Sequence, residues 1–219
     1  MLPLRSSAGS LFGTIGGAAL GGVFRAVAAV RPTAKPLHPR GTVRRGRLHR
    51  HGAEPPTGVE FLDVATTDEV LVRESRATGV PSPLPDVQGL ALRVPGPGGS
   101  YADLLFASNG LGRLTRFLLV PSWRHQGRPM TTLLPYESVA GPVLLALREV
   151  GQRRLELVFA VGGGSWRHVG ELVLSEEEGD EPVTFDAVLN TPPGLAQYDV
   201  VRRLREPAYA AARAGRDGP

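Results

Sequence analysis

The chain has 219 residues, 42% of them hydrophobic, enough for one well-buried domain and too few for two large ones. Charged residues at 21% and aromatics at 6% are those of an ordinary soluble protein, which argues against wholesale disorder despite 28 Gly and 20 Pro. The net charge of +4 rests almost wholly on arginine, Lys35 being the single lysine, and the absence of cysteine excludes disulfides, thiolate metal sites and cysteine nucleophiles.

The first apolar stretch, 11–30, is glycine-rich and interrupted by Arg25. A charge near the centre of a span costs several kcal/mol, so residues 1–34 are expected to form an apolar arm or helix that packs or skims a membrane surface. Export is the alternative, because Arg5 precedes the stretch, yet no clean small-x-small cleavage site stands before Pro32. Gly41 to Arg50 alternates loosely and reads as a strand with arginines on its wet face. Within and before it, Arg40, Arg44, Arg45, Arg47 and Arg50 form a dense basic run that lacks the interleaved aromatics of a nucleic-acid surface, and no nucleic-acid partner is expected.

Val59 to Val64 and Val70 to Ser75 read as further strands, with Thr66, Thr67 and Asp68 as the turn between them. After the proline-rich link 81–85 come strands at Leu90 to Val94 and Ala102 to Ala107, separated by a glycine turn at 96–100. Arg116 to Val120, Val143 to Leu147, Leu155 to Val161 and Val169 to Leu174 complete seven or eight short strands, the spacing of a closed or nearly closed antiparallel barrel. Gly162 to Ser165 reads as a hairpin turn and Glu176 to Glu181 as a solvated turn. Tyr198 to Arg213 carries Val201, Leu204, Ala208 and Ala212 at helical spacing, with Pro207 as a kink. The predicted class is therefore α+β, an N-terminal arm over 1–34 and a barrel domain over 35–219 that ends in a helix.

Three stretches carry chemistry. In the first, Lys35 is followed at three residues by His38, then by Arg40 and Gly41, with Gly46 further on. The second holds Val72-Arg73-Glu74-Ser75, Asp86-Val87-Gln88-Gly89-Leu90-Ala91-Leu92-Arg93 and Asp103-Leu104-Leu105. The third holds Phe185-Asp186, Pro193-Gly194 and Arg205-Glu206-Pro207-Ala208-Tyr209, with Arg216 beyond. In order and spacing these resemble the distal-histidine signature, the Val-Arg-Phe-Ser and Asp-Pro-Arg-Gly-Phe-Ala-x-Lys segments, and the Arg-x-x-x-Tyr proximal motif of the catalase superfamily.

The resemblance implies a catalase-like barrel holding haem b. It implies His38 as distal acid–base residue, Ser75 as the group that fixes its tautomer, and Arg73 and Arg216 as partners of the haem propionates. Tyr209 would be the iron ligand, its phenolate favoured by Arg205 one helical turn away. The activity implied is reaction with hydrogen peroxide or an organic hydroperoxide, peroxidase-like rather than that of a full catalase. Two departures point that way. Ala107 stands where the family has a distal asparagine, with Ser108 and Asn109 beside it, and the long helical and wrapping segments of large catalases are almost absent between Pro121 and Val169. Phe117 is the candidate stacking ring.

The alternative is a haem-free barrel of the same descent that binds a small apolar ligand or a partner. Expected partners are peroxide or another small-molecule substrate; peripheral membrane contact through 11–30 and a homo-oligomer are left open, and the expected location is cytoplasmic or membrane-associated. His49 and His51 form a His-x-His pair of zinc-site type with no third ligand evident.

Overall fold

In the computed structural model, residues 41–76, 83–124, 127–179 and 183–203 are described. Ten strands follow in chain order: β1 (Gly41–Arg50), β2 (Thr66–Arg76), β3 (Gln88–Pro95), β4 (Tyr101–Ser108), β5 (Met130–Thr131), β6 (Tyr136–Glu137), β7 (Val143–Gly151), β8 (Arg154–Val161), β9 (Arg167–Gly179) and β10 (Ala196–Gln197). All their pairings are antiparallel, and the order β7-β5-β4-β3-β2-β1-β9-β8 closes on itself through β7–β8, which makes an eight-stranded barrel with β6 and β10 added beside β7. Closure removes the free sheet edges that an open sheet of this length would expose.

Alternation builds the interior. Leu48, Val70, Val72, Leu90, Leu92, Leu104, Phe106, Leu145, Leu147, Leu157, Phe159 and Leu172 occupy every second position of their strands and pack as one cluster, nearly all of them inaccessible to solvent. Each such side chain contributes on the order of 1.5–3 kcal/mol. Their neighbours therefore face outward, and the outward face of β1 to β4 positions the candidate site.

Four sequence expectations need correction. Val59 to Val64 is no strand: it holds helix α1 (Glu60–Asp63), which buries Phe61 and Leu62 while the Asp63 carboxylate takes up the Thr57 and Gly58 amides before it. Thr66, Thr67 and Asp68 begin β2 instead of forming a turn, because the buried Arg50 guanidinium reaches the Thr66 hydroxyl at 2.6 Å and Asp68 at 3.0 Å across the β1–β2 pair. Arg116 to Val120 contains a 3-10 turn at Thr115–Phe117 and a single bridge from Leu119 to Asn109. Burial of Arg116 over the Trp166 ring pulls that segment out of extended pairing. Glu176 to Gly179 prolongs β9, its charges met by Arg44 and Arg153.

At the far end, residues 199–203 are helical, which matches the start of the expected helix; its remainder and the arm over 1–34 lie outside the described residues.

Candidate functional site

The strand register sorts the outward face of β1 to β4 into rows. Gly41, Ser75, Gly89 and Ala107 form one; Val43, Arg73, Ala91 and Leu105 form the next; Arg45, Leu71, Arg93 and Asp103 form the third. In the first two rows four of eight residues are Gly or Ala, which makes a floor rich in small residues on which Ser75, Arg73, Val43 and Leu105 stand. Ser75 and Val43 are each 8% exposed, and Ala91, Leu105, Ala107 and Arg73 are half-buried. A methyl group at Gly41 would meet the Arg73 Nε at 2.7 Å and the Glu74 carbonyl at 2.8 Å. The Arg73 side chain thus leans across β1 over Gly41, toward the Ser75 row, and only glycine leaves it that space. Gly41, Arg73, Ser75, Gly89 and Ala91 come from two of the three sequence stretches, and the barrel brings them together.

The third row has a different character. Arg93 donates from Nε to Asp103 Oδ1 at 2.7 Å and from Nη2 to Asp103 Oδ2 at 2.8 Å, and its guanidinium lies over the rings of Tyr101 at 3.9 Å and Phe185 at 5.1 Å. The hydrogen bonds to Asp103 raise the Arg93 pKa against the opposing effect of burial. Asp103, fully buried, also accepts the Asp186 amide at 2.7 Å and the Asn190 Nδ2 at 2.9 Å. Asp86–Arg93, Asp103 and Phe185–Asp186 therefore meet in a latch that ties residues 183–190 to the barrel. A cleft of about 260 Å³ lined by Glu69, Leu71, Arg93, Pro95, Ser100 and Tyr101 opens beside it, past the third row and away from Ser75.

Beyond Ala107 lies a polar cluster that sequence reasoning missed. Thr131, fully buried and paired with Ala107, donates to the Arg116 carbonyl at 3.0 Å and accepts from Asn109 Nδ2. Asn109 Nδ2 also donates to the Arg116 carbonyl at 2.9 Å, and its buried Oδ1 finds no hydrogen-bond partner among the described residues. Arg116 is 3% exposed, donates to the carbonyls of Gly112 and Gly164, and has its pKa lowered by burial and by nearby Arg113. The Asn109 amide is thus committed to holding the chain after β4. Ser108 points inward, accepting the Gln88 amide at 3.0 Å and donating to the Val120 carbonyl at 2.7 Å, so neither neighbour stands in for an asparagine at 107. Thr131 sits in a two-residue strand with no periodicity to announce it.

Among the sequence-predicted residues, Arg73 and Ser75 share the floor, and Phe117 is half-buried in the 3-10 turn. His38, Arg205, Tyr209 and Arg216 lie outside the described residues. No three His, Cys, Asp or Glu side chains converge as a metal-binding group among the described residues, and no helix among them is long and apolar enough to cross a membrane. His49 and His51 do not act together: the His49 Nδ1 bonds the Thr67 hydroxyl at 2.9 Å, whereas His51 turns toward β9. As to a porphyrin, a floor rich in small and apolar residues with a guanidinium at its margin is chemically suited to an aromatic macrocycle that carries carboxylates.

The chain matches no protein family model and no protein of curated function. Its fold is that of solved catalases. A fungal catalase aligns over 100% of this chain at a TM-score of 0.64 and 14% identity. A bacterial catalase aligns over 98% at 0.59 and 12%, and catalase A from Saccharomyces cerevisiae over 100% at 0.63 and 12%. The matched regions span 65%, 61% and 66% of those three chains. At such identities the likeness establishes a catalase-like barrel.

Proposed function

We propose that this chain is a small haem protein that reacts with hydrogen peroxide or organic hydroperoxides, with peroxidase-like access to its site. The observation that carries the reading is the floor: the small residues Gly41, Gly89, Ala91 and Ala107 surround Ser75, and Arg73 leans over Gly41 at the same margin. In this reading the Arg73 guanidinium holds a propionate by charge-assisted hydrogen bonds, with Arg216 as the second cation. The Ser75 hydroxyl orients the His38 imidazole, whose nitrogen carries a proton from one peroxide oxygen to the other. The Tyr209 phenolate, its charge favoured by Arg205, would hold the haem iron. Haem, when bound, supplies the ferric centre at which the peroxide bond is cleaved. Ala107 leaves the floor without an amide, so a catalase-like second turn of peroxide oxidation is slow and an organic donor is the favoured reductant.

Titration of the purified protein with hemin tests this, followed by absorption spectroscopy with and without peroxide. A saturating one-to-one Soret change of high-spin ferric character, altered in Tyr209→Phe, is the expected result. In His38→Ala, haem binding persists and peroxide reaction falls by about two orders of magnitude or more. Free-hemin behaviour throughout retires the enzyme and leaves a haem-free barrel that takes an apolar ligand or a partner.

A further inference from the structure

Away from the floor, just past the opposite end of β1, an imidazole following that strand meets one from β9. His51 Nε2 lies 2.9 Å from His168 Nδ1, with the ring centroids 4.7 Å apart and both side chains exposed. Two local features of β9 bring this about. An extra residue at Val169, where the β8–β9 register shifts, aims the His168 side chain outward beside β1. Gly170 lets the two backbones approach: a methyl group there would stand 2.4 Å from the His49 carbonyl oxygen.

The His51 ring has a fixed tautomer. Its Nδ1 lies 2.7 Å from the Gly52 carbonyl oxygen, which only accepts, so Nδ1 carries the hydrogen and the Nε2 lone pair is directed at His168. That is the arrangement of a metal-ligating histidine, in which the second ring nitrogen donates to a carbonyl and so orients the first. Two imidazole nitrogens on one tetrahedral ion stand about 3.3 Å apart, given metal–nitrogen bonds of about 2.0–2.1 Å. The observed 2.9 Å is about the spacing of cis nitrogens on a tetragonal Cu2+ and opens by a few tenths of an ångström for a tetrahedral ion. The His168 hydrogen moves from Nδ1 to Nε2, and both rings turn so that their lone pairs converge on the ion.

We infer that His51 and His168 form a two-nitrogen chelate for a divalent ion of the borderline class, Cu2+ binding more tightly than Zn2+. The remaining coordination positions go to water. The nearby groups are otherwise engaged: Glu171 accepts from Arg154 at 2.9 Å, His49 bonds Thr67, and Arg167 donates to the Pro55 carbonyl. The chelate therefore retains open positions, and it is independent of the haem reading.

The test is titration of the haem-free full-length protein with Cu2+ and, separately, Zn2+, read by calorimetry and by electron paramagnetic resonance of the copper. The expected result is one saturable site with two-nitrogen equatorial coordination. His51→Ala and His168→Ala each weaken it about tenfold or more, while His49→Ala leaves it unchanged. Metal should also protect both imidazoles of the wild-type chain from acylation, a readout that needs no variant. An isotherm and spectrum unchanged in the double variant His51→Ala/His168→Ala overturn the inference and leave the pair as an interstrand hydrogen bond.

Discussion

The two ends of the outward face of β2 to β4 are built on one register and used in opposite ways. At the latch end, long charged side chains fill the surface: Arg93 and Asp103 face each other in pairing, and Asp103 collects four donor contacts from Arg93, Asp186 and Asn190. At the floor end, two to four residues along each strand, the same face carries Ala91, Gly89 and Ala107 with Leu105 among them, and no charged side chain from β3 or β4. The difference teaches that motif residues lying side by side in sequence serve separate tasks. Arg93 and Asp103 hold the 183–190 segment on the barrel, and the small residues leave the floor with few long side chains.

Asp103→Ala cuts the latch and has the largest expected effect. It leaves the half-buried Arg93 guanidinium without its partner and two donors unmet, a loss of about 3–5 kcal/mol. The urea unfolding midpoint measures it. A loss under about 1 kcal/mol would mean that the latch is dispensable and that the two ends are alike.

The floor end responds in the reverse pattern. If Arg73 holds a propionate as proposed, Arg73→Ala costs charge-assisted hydrogen bonds of about 1.5–3 kcal/mol, which corresponds to hemin binding roughly ten- to a hundredfold weaker. Ala91→Leu raises a side chain from the floor and should weaken hemin binding by about tenfold or more with a change in stability near 1 kcal/mol. Equal hemin binding in both variants would sink the assignment of this face to a planar ligand, whatever happens to the latch.

Much of this division was legible in the sequence and part was not. The alternation of Gly41–Arg50, Leu90–Val94, Ala102–Ala107 and Leu155–Val161 announced strands because each buries one face on the barrel core. The resemblance carried by Arg73, Ser75 and Asp103 placed them in one family pattern. What it could not say is that Asp103 closes onto the Asp186 amide 83 residues away, since a backbone donor leaves no mark in sequence. The helix at Glu60–Asp63 was missed for a related reason: its apolar residues fit a strand equally well, and the deciding contacts are amides gathered by one carboxylate. The His51–His168 pair depends on a bulge, which shifts one strand against another and is invisible to periodicity.

The strap that the latch anchors has a second, weaker attachment at α1, and it gives the smallest effect. The Phe61 amide donates to the Pro193 carbonyl at 3.0 Å, and Gly194 packs so closely that a methyl group there would stand 2.9 Å from the Glu60 nitrogen. Asp63 holds α1 in place. Burial pushes its carboxyl up, but the amide and hydroxyl of Thr57 with the amides of Gly58 and Val59 outweigh that and keep it below its ordinary range. A carboxyl with a lowered folded-state pKa stabilises the fold above the unfolded value of about 3.9, and that stability is lost as pH falls through the folded value. Asp63→Asn should therefore cost about 1 kcal/mol at neutral pH. The gap between wild type and variant should stay level down to about pH 5 and close below about pH 4. Urea midpoints of the pair across that range read it directly. A gap that instead widens on acidification would mean that the Asp63 charge opposes the fold and that this carboxylate does not support α1.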